Sequence, residues 1–208
     1  MKWNKWFFAA IMCTSLTYSS IAQTLSVNGA DVATNNISLV TTDGKSATLK
    51  DYAKENGLIV IFSCNTCPFV VGKEGGFAGW QKDYNNITAL AKAKGYGVVL
   101  VNANEAFRND VDSPAQMVEQ AAKQKYLAPY IIDQGHKLAD LLEAKTTPHV
   151  YMFDNDYKLV YAGAIDNSSD PRANVVESYL VDAINGQGKD LKHTTSKPIG
   201  CSIKRTGK

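Results

Sequence analysis

Leu58-Ile59-Val60-Ile61-Phe62 and Tyr96 to Asn102 are the two stretches in which apolar residues run without alternation. Runs of this length that are apolar on both faces predict central strands covered on both sides. Other patterns surround them. Ile37-Ser38-Leu39-Val40 and Ser46-Ala47-Thr48-Leu49 flank Asp43-Gly44, which predicts two short strands around a turn within 34–49. Leu49 to Lys54 predicts one helical turn stopped at Gly57, and Trp80 to Lys94 a longer helix. Ser113-Pro114-Ala115-Gln116 opens another, with Ser as N-cap, Pro at the first helical position and Gln closing a capping box. Met117, Val118, Ala121 and Ala122 mark its apolar face. Tyr130-Ile131-Ile132 predicts a short strand and Lys137 to Ala144 a short helix. His149–Phe153 and Lys158–Ala162 predict a hairpin around Asp154-Asn155-Asp156. Asp170 and Pro171 open a closing helix that turns Val175, Val176, Tyr179, Leu180, Ala183 and Ile184 inward and stops at Gly186. Strands alternating with helices, then a hairpin and a helix, predict a mixed α/β domain.

The chemistry sits at the end of the first apolar run, in Cys64-Asn65-Thr66-Cys67-Pro68. Two cysteines two residues apart, at a passage from buried strand to helix, suit dithiol redox chemistry. Free N–H groups at a helix start favour an anionic sulfur. On this reading Cys64 becomes a thiolate near neutral pH, and Cys67 lies one turn on, close enough to close a disulfide. The same spacing also forms half of a zinc site, but its place after a strand favours redox work. Gly72 to Gly79 reads as a flexible loop beside the dithiol, without the Gly-Lys-Ser/Thr ending of a phosphate loop. Phe77, Trp80 and Tyr84 read as core or rim residues.

Composition bounds the compartment and the partners. The 208 residues are 45% hydrophobic with a net charge of +2, enough for one domain with a full core. Residues 1–22 read as a secretory signal peptide: Lys2 and Lys5, an apolar stretch from Trp6 to Leu16, and Ser20-Ile21-Ala22 as cleavage site. The domain is then 23–186, followed by a polar, lysine-rich tail over 187–208 that carries Cys201. Cleavage removes two of 22 basic residues against 20 acidic ones. The resulting neutral chain excludes nucleic acid and polyanions as expected partners. Cys13 leaves with the leader, so Cys64, Cys67 and Cys201 face an oxidising compartment, expected to be the periplasm. An odd count implies a working pair plus a third redox thiol, a buried thiol or a spare one.

Four stretches together resemble a known family: Phe62-Ser63-Cys64-Asn65-Thr66-Cys67-Pro68-Phe69-Val70, Val101-Asn102-Ala103-Asn104-Glu105, Thr147-Pro148-His149-Val150-Tyr151-Met152-Phe153-Asp154 and Gly200-Cys201-Ser202-Ile203-Lys204. The chain is similar to redoxins of the thioredoxin fold, in particular the peroxiredoxin-like thioredoxin family proteins of the alkyl hydroperoxide reductase/thiol-specific antioxidant superfamily. Many such relatives have histidine where Thr66 stands. The resemblance implies a central mixed sheet flanked by helices, with extra N-terminal strands. It implies Cys64 as the attacking thiolate, Cys67 as the resolving thiol, and Pro148 as a cis-proline that presents the Thr147 backbone to a substrate strand. Thr66 and Pro68 support the dithiol, and a hydrogen bond from Thr66 to Cys64 is expected. The implied activity is thiol–disulfide exchange with protein or small-molecule disulfides. No cofactor is implied. An upstream reductant protein is expected, with membrane contact only through that partner.

Three other readings compete. Peroxiredoxins place Pro seven and Thr or Ser three residues before the peroxidatic cysteine. Val60 and Cys64 hold those places before Cys67, and Gly57 and Ile61 before Cys64. The arginine such a site needs must come from Arg108, Arg172 or Arg205. A copper-delivery protein would recruit His136 or His149 beside the thiolates, but such relatives usually space their cysteines by three residues. An inert structural disulfide would need Cys64 buried and unreactive. Cys201 reads either as a thiol on an unstructured tail or, with Ile199 and Ile203 as apolar anchors, as one docked beside the dithiol.

Overall fold

The computed structural model describes residues 37–169 and 176–206. The leader expected over 1–22, and the helix start expected at Asp170-Pro171, lie outside the described residues, as does Val175. A seven-stranded mixed sheet runs in the order β2-β1-β5-β4-β3-β7-β8. Its strands are β1 (Leu39–Thr41), β2 (Ser46–Ala47), β3 (Gly57–Phe62), β4 (Tyr96–Asn102), β5 (Tyr130–Ile132), β7 (His149–Phe153) and β8 (Leu159–Gly163). A separate pair joins β6 (Thr146–Thr147) to β9 (Cys201–Ser202).

The unbroken apolar runs lie where they were expected. β3 and β4 are parallel neighbours at the middle of the sheet, and every residue of both is buried. Their side chains divide by parity. Ile59, Ile61, Val98 and Leu100 enter one core layer, with Val150 and Met152 of β7. Leu58, Val60, Phe62, Val99 and Val101 enter the other, with Leu39, Leu138 and Ile203. Each such aliphatic side chain, fully buried, stabilises the fold by about 2 kcal/mol. The first layer is closed by α2 (Tyr84–Ala93) through Tyr84, Ile87 and Ala91, and by α5 (Tyr179–Asn185) through Leu180, Ala183 and Ile184. This is the mixed sheet flanked by helices, with extra N-terminal strands, that the resemblance implies.

Several helices differ from their sequence reading. The helix expected from Trp80 begins as a 3-10 turn over Trp80–Asp83 and becomes α-helical only at Tyr84. In α3 (Pro114–Gln124), Ser113 caps the Gln116 N–H, but Val118 is half exposed and Ala122 faces solvent. Only a narrow stripe built on Met117 and Ala121 reaches the core. α4 stops at Leu141 (Lys137–Leu141), short of Ala144. Val176 lies outside α5 and is exposed, not inward. The short helix α1 (Pro68–Val71) has Cys67 as its N-cap and Pro68 at its first position. The Gly72–Gly79 loop is closed on itself: a Cβ at Gly79 would meet the Gly72 nitrogen at 2.3 Å and the Val70 carbonyl at 2.4 Å. Glycine, at positive φ on both sides, permits that approach.

Candidate active site

β3 ends at Phe62, and Ser63 leads the chain off the sheet toward Cys64. The Ser63 hydroxyl lies 3.1 Å from the buried Tyr84 hydroxyl, which anchors the strand exit to α2. Cys64 and Cys67 retain only 2% and 4% of their surface and sit in the core layer with Val70 and Trp80. Opposite them runs β6, followed at once by the cis Thr147–Pro148 bond. Thr147 touches both sulfurs. Its hydroxyl is 3.1 Å from Cys64 Sγ, and its carbonyl accepts from the Cys67 thiol at 3.1 Å. The Cys67 backbone N–H donates to Cys64 Sγ at 3.3 Å.

The third cysteine joins them. β9 pairs antiparallel with β6, with Cys201 opposite Thr147. The Cys201 N–H donates to Cys67 Sγ at 3.4 Å. Residues 200–206 therefore pack against the domain. Ile203 is buried and its N–H donates to the Lys145 carbonyl, while the Lys204 N–H donates to Asn104 Oδ1. The tail is docked through Ile203.

The two neighbouring sulfurs, Cys64 and Cys67, shift in opposite directions. Cys67 is lowered to about 5: the Cys64 thiol donates to it, and the Cys201 thiol, the Cys201 N–H and the Phe69 N–H add to this, against the opposing effect of burial. Cys64 is pushed well up, first because its thiol serves Cys67 as donor and then by burial, with the Thr147 hydroxyl acting the other way. Cys201 is pushed up to about 11 by burial and by its bond to Cys67. The hydrogen bond between the sulfurs of Cys64 and Cys67 is the largest cause of the shifts of both. The expectation for Cys64 assumed a helix beginning there, but Pro68 occupies the first helical position, so Cys67 is the cap. A second correction concerns Thr66. Its side chain is exposed, and the hydroxyl beside Cys64 is that of Thr147. Pro68 is exposed and acts by setting the start of α1.

A polar cluster that the sequence reading missed holds the Cys64–Cys67 loop from behind. Asp112 is fully buried; it accepts from the Asn65 N–H (2.9 Å), Asn102 Nδ2 (2.7 Å) and Asn104 Nδ2 (2.9 Å). Tyr130 donates to Asn65 Oδ1 at 3.1 Å. The Asn65, Asn102 and Asn104 donors thereby find an acceptor, which such buried groups require. The signal was present as Asn102 and Asn104 at the end of an apolar strand, where polar residues have no packing role. Arg108 binds the backbone oxygens of Asp112 and Asn102 and the side-chain oxygen of Asn102.

The histidines are engaged away from the sulfurs. His136 pairs with Asp140 at 2.8 Å. His149 is buried, accepts from the Lys145 N–H, and lies 3.2 Å from the Tyr151 hydroxyl; burial and then the Lys145 charge lower it to about 4. Among the described residues no cluster of three or more His, Cys, Asp or Glu side chains is arranged to hold a metal ion.

Sheet order, cis-proline and facing dithiol define a thioredoxin-like fold with a thiol-based site. Residues 28–180 match the Redoxin family, and the chain belongs to it. No curated protein sequence is significantly similar. Among solved structures, an uncharacterized conserved protein from Geobacillus kaustophilus is 28% identical, with a TM-score of 0.69 over 83% of this chain and 89% of that one. A hypothetical protein from Sinorhizobium meliloti 1021 is 26% identical, with a TM-score of 0.71 over 82% and 91%. A thioredoxin-like protein solved in its oxidized form shares the fold at 20% identity, with a TM-score of 0.52 over 74% and 90%. The chain is thus a redoxin-family thiol oxidoreductase.

Proposed function

We propose that this oxidoreductase exchanges disulfides by using Cys67 as the attacking thiolate and Cys64 as the resolving thiol. The observation that carries the reading is the Cys201 N–H that donates to Cys67 Sγ at 3.4 Å; together with the Cys64 thiol it lowers Cys67, and ionisation gives up the bond from the neutral Cys67 thiol to the Thr147 carbonyl. A low-pKa thiolate is ionised at neutral pH, and the ionised form is the nucleophile. The Cys67 thiolate attacks one sulfur of a substrate disulfide and expels the other as a thiolate. Cys64 then attacks the Cys67 sulfur and releases the second substrate thiol, leaving a Cys64–Cys67 disulfide. Two electrons pass to the substrate. One proton comes from Cys64 and one from solvent. A partner reductant, itself a dithiol, restores the starting state by the reverse exchange.

The leader-like segment supports export to the periplasm, and the mature protein would then begin at Gln23. The peroxidase alternative finds less support. Arg108 turns its Nη1 and Nη2 groups to Asp112 and Asn102, and Arg205 binds Asp140, while Arg172 lies outside the described residues. The copper-carrier alternative is disfavoured because both candidate histidines have other partners.

Reduction of insulin disulfides by dithiothreitol, with the protein as catalyst, tests the exchange reading. Wild-type protein is expected to accelerate it, and Cys67→Ser to abolish the acceleration. No acceleration by wild-type protein, together with peroxide consumption that depends on Cys67, would replace exchange by peroxidase chemistry.

A further inference from the structure

Cys67 has a second thiol neighbour that the exchange cycle leaves unused. β9 is held on both sides of Cys201. Upstream, Gly200 lies so close to Thr147 that a Cβ there would meet the Thr147 carbonyl oxygen at 2.2 Å. Downstream, Ile203 is buried, Lys204 binds Asn104 through its N–H, and the Lys204 carbonyl accepts from the Ala106 N–H. Between these anchors the Cys201 N–H donates to Cys67 Sγ at 3.4 Å, which sets the two cysteines side by side. Cys64 and Cys67 are buried, whereas Cys201 is partly exposed.

From this arrangement we propose that Cys201 is a second resolving thiol, which moves the disulfide from the buried Cys64–Cys67 pair to a Cys67–Cys201 pair at the surface. The inference rests on the exchange reading above. The step is an isomerisation that needs no external oxidant. The Cys201 sulfur, having given up its proton, attacks Cys67 Sγ in the Cys64–Cys67 disulfide. The Cys67–Cys201 bond forms, the Cys64–Cys67 bond breaks, and Cys64 leaves as a thiolate and takes up one proton. No electrons are gained or lost. The leaving sulfur has a prepared place, with the Thr147 hydroxyl at 3.1 Å and the Cys67 N–H at 3.3 Å. The geometry also fixes which bond can form, because Cys201 contacts Cys67. The reductant would then meet a disulfide with one sulfur in reach of solvent instead of one sealed in the core. Reactivity of a disulfide depends on access as well as on thiol pKa.

Disulfide mapping tests this. Wild-type, Cys64→Ser, Cys67→Ser and Cys201→Ser proteins are oxidised with diamide, quenched in acid, alkylated and digested for mass spectrometry. Cys64→Ser is expected to carry a Cys67–Cys201 link within one chain in most molecules. Cys67→Ser should carry no link to Cys201, and Cys201→Ser only Cys64–Cys67. Wild-type protein, equilibrated across a series of oxidised and reduced dithiothreitol mixtures, should yield the peptide of Cys201 joined to that of Cys67, so the outcome does not depend on a variant folding. Absence of that link in both wild-type and Cys64→Ser proteins, with Cys64–Cys67 still forming in wild type, would overturn the proposal and leave the exchange reading intact. Absence of any internal disulfide in wild type would overturn both.

Discussion

At the scale of single residues, Thr147, Cys64 and Cys67 form a short chain of donors. The Thr147 hydroxyl lies against Cys64 Sγ, and the Cys64 thiol donates in turn to Cys67. Linked donors of this kind polarise one another in a buried site. Thr147→Val keeps the shape but removes the first link. It is expected to raise the pKa of Cys67 by up to about one unit, equivalent to about 1.4 kcal/mol, in an ultraviolet thiolate titration of the reduced protein. Thr66→Ala should leave the titration where it is, because the Thr66 side chain is exposed. A larger effect from Thr66→Ala than from Thr147→Val would contradict the assignment. The Cys-x-x-Cys was readable from sequence, as was its position after a buried strand. The cap at Cys67 was less so, although its cue stands at Pro68. A proline after the second cysteine places the cap at Cys67, whereas the general dithiol argument places the thiolate at the first. Nor could spacing reveal that Asp112, 48 positions after Cys64 in the sequence, closes the back of the loop.

At the scale of elements, the interior strands were the most legible part of the chain. β4 and β5 run over the residues that the apolar runs predict, and β3 extends the prediction by Gly57 alone. Strands buried on both faces leave the sequence little freedom to be anything else. Helix α3 was less legible. Val118 and Ala122 continue the apolar periodicity but meet solvent, since the sheet face below is filled by Met117 and Ala121. The tail was least legible, because its composition is polar and its strand only two residues long. Its docking depends on a few fitted contacts, with Gly200 the tightest. Gly200→Ala would force the added methyl into the Thr147 carbonyl, so β9 must shift or detach. Alkylation of Cys67 in the reduced variant is expected to accelerate on the order of tenfold, corresponding to about 1.4 kcal/mol of lost docking. An unchanged alkylation rate would mean that β9 does not cover Cys67.

At the scale of the whole molecule, the shifted groups make stability depend on pH and on redox state together. Cys67 is lowered to about 5 from an ordinary 9.0, and His149 to about 4 from 6.5. Between the folded and unfolded values of each group, the unfolded chain binds more protons, so stability rises with pH. The contribution of Cys67 is complete only above 9.0 and is lost as pH falls through about 5. Cys201, raised to about 11, acts oppositely: the folded chain keeps a proton that the unfolded chain releases above 9.0. Urea unfolding of the reduced protein should therefore show stability rising from pH 5 to about 8, by up to about 1.4 kcal/mol per pH unit from Cys67, and falling above about 9. The oxidised protein, whose Cys67 no longer titrates, should lose the rise between about 6.5 and 8. Equal slopes in the two redox states would contradict this.

The account turns on which sulfur is ionised, and an ultraviolet thiolate titration of the reduced wild-type, Cys64→Ser and Cys67→Ser proteins asks that directly. Wild-type protein should show one thiolate appearing near pH 5, in line with the donors gathered on Cys67. The same low transition should persist, shifted upward, in Cys64→Ser and vanish in Cys67→Ser. A low transition that survives Cys67→Ser and is lost in Cys64→Ser would return the attacking role to Cys64.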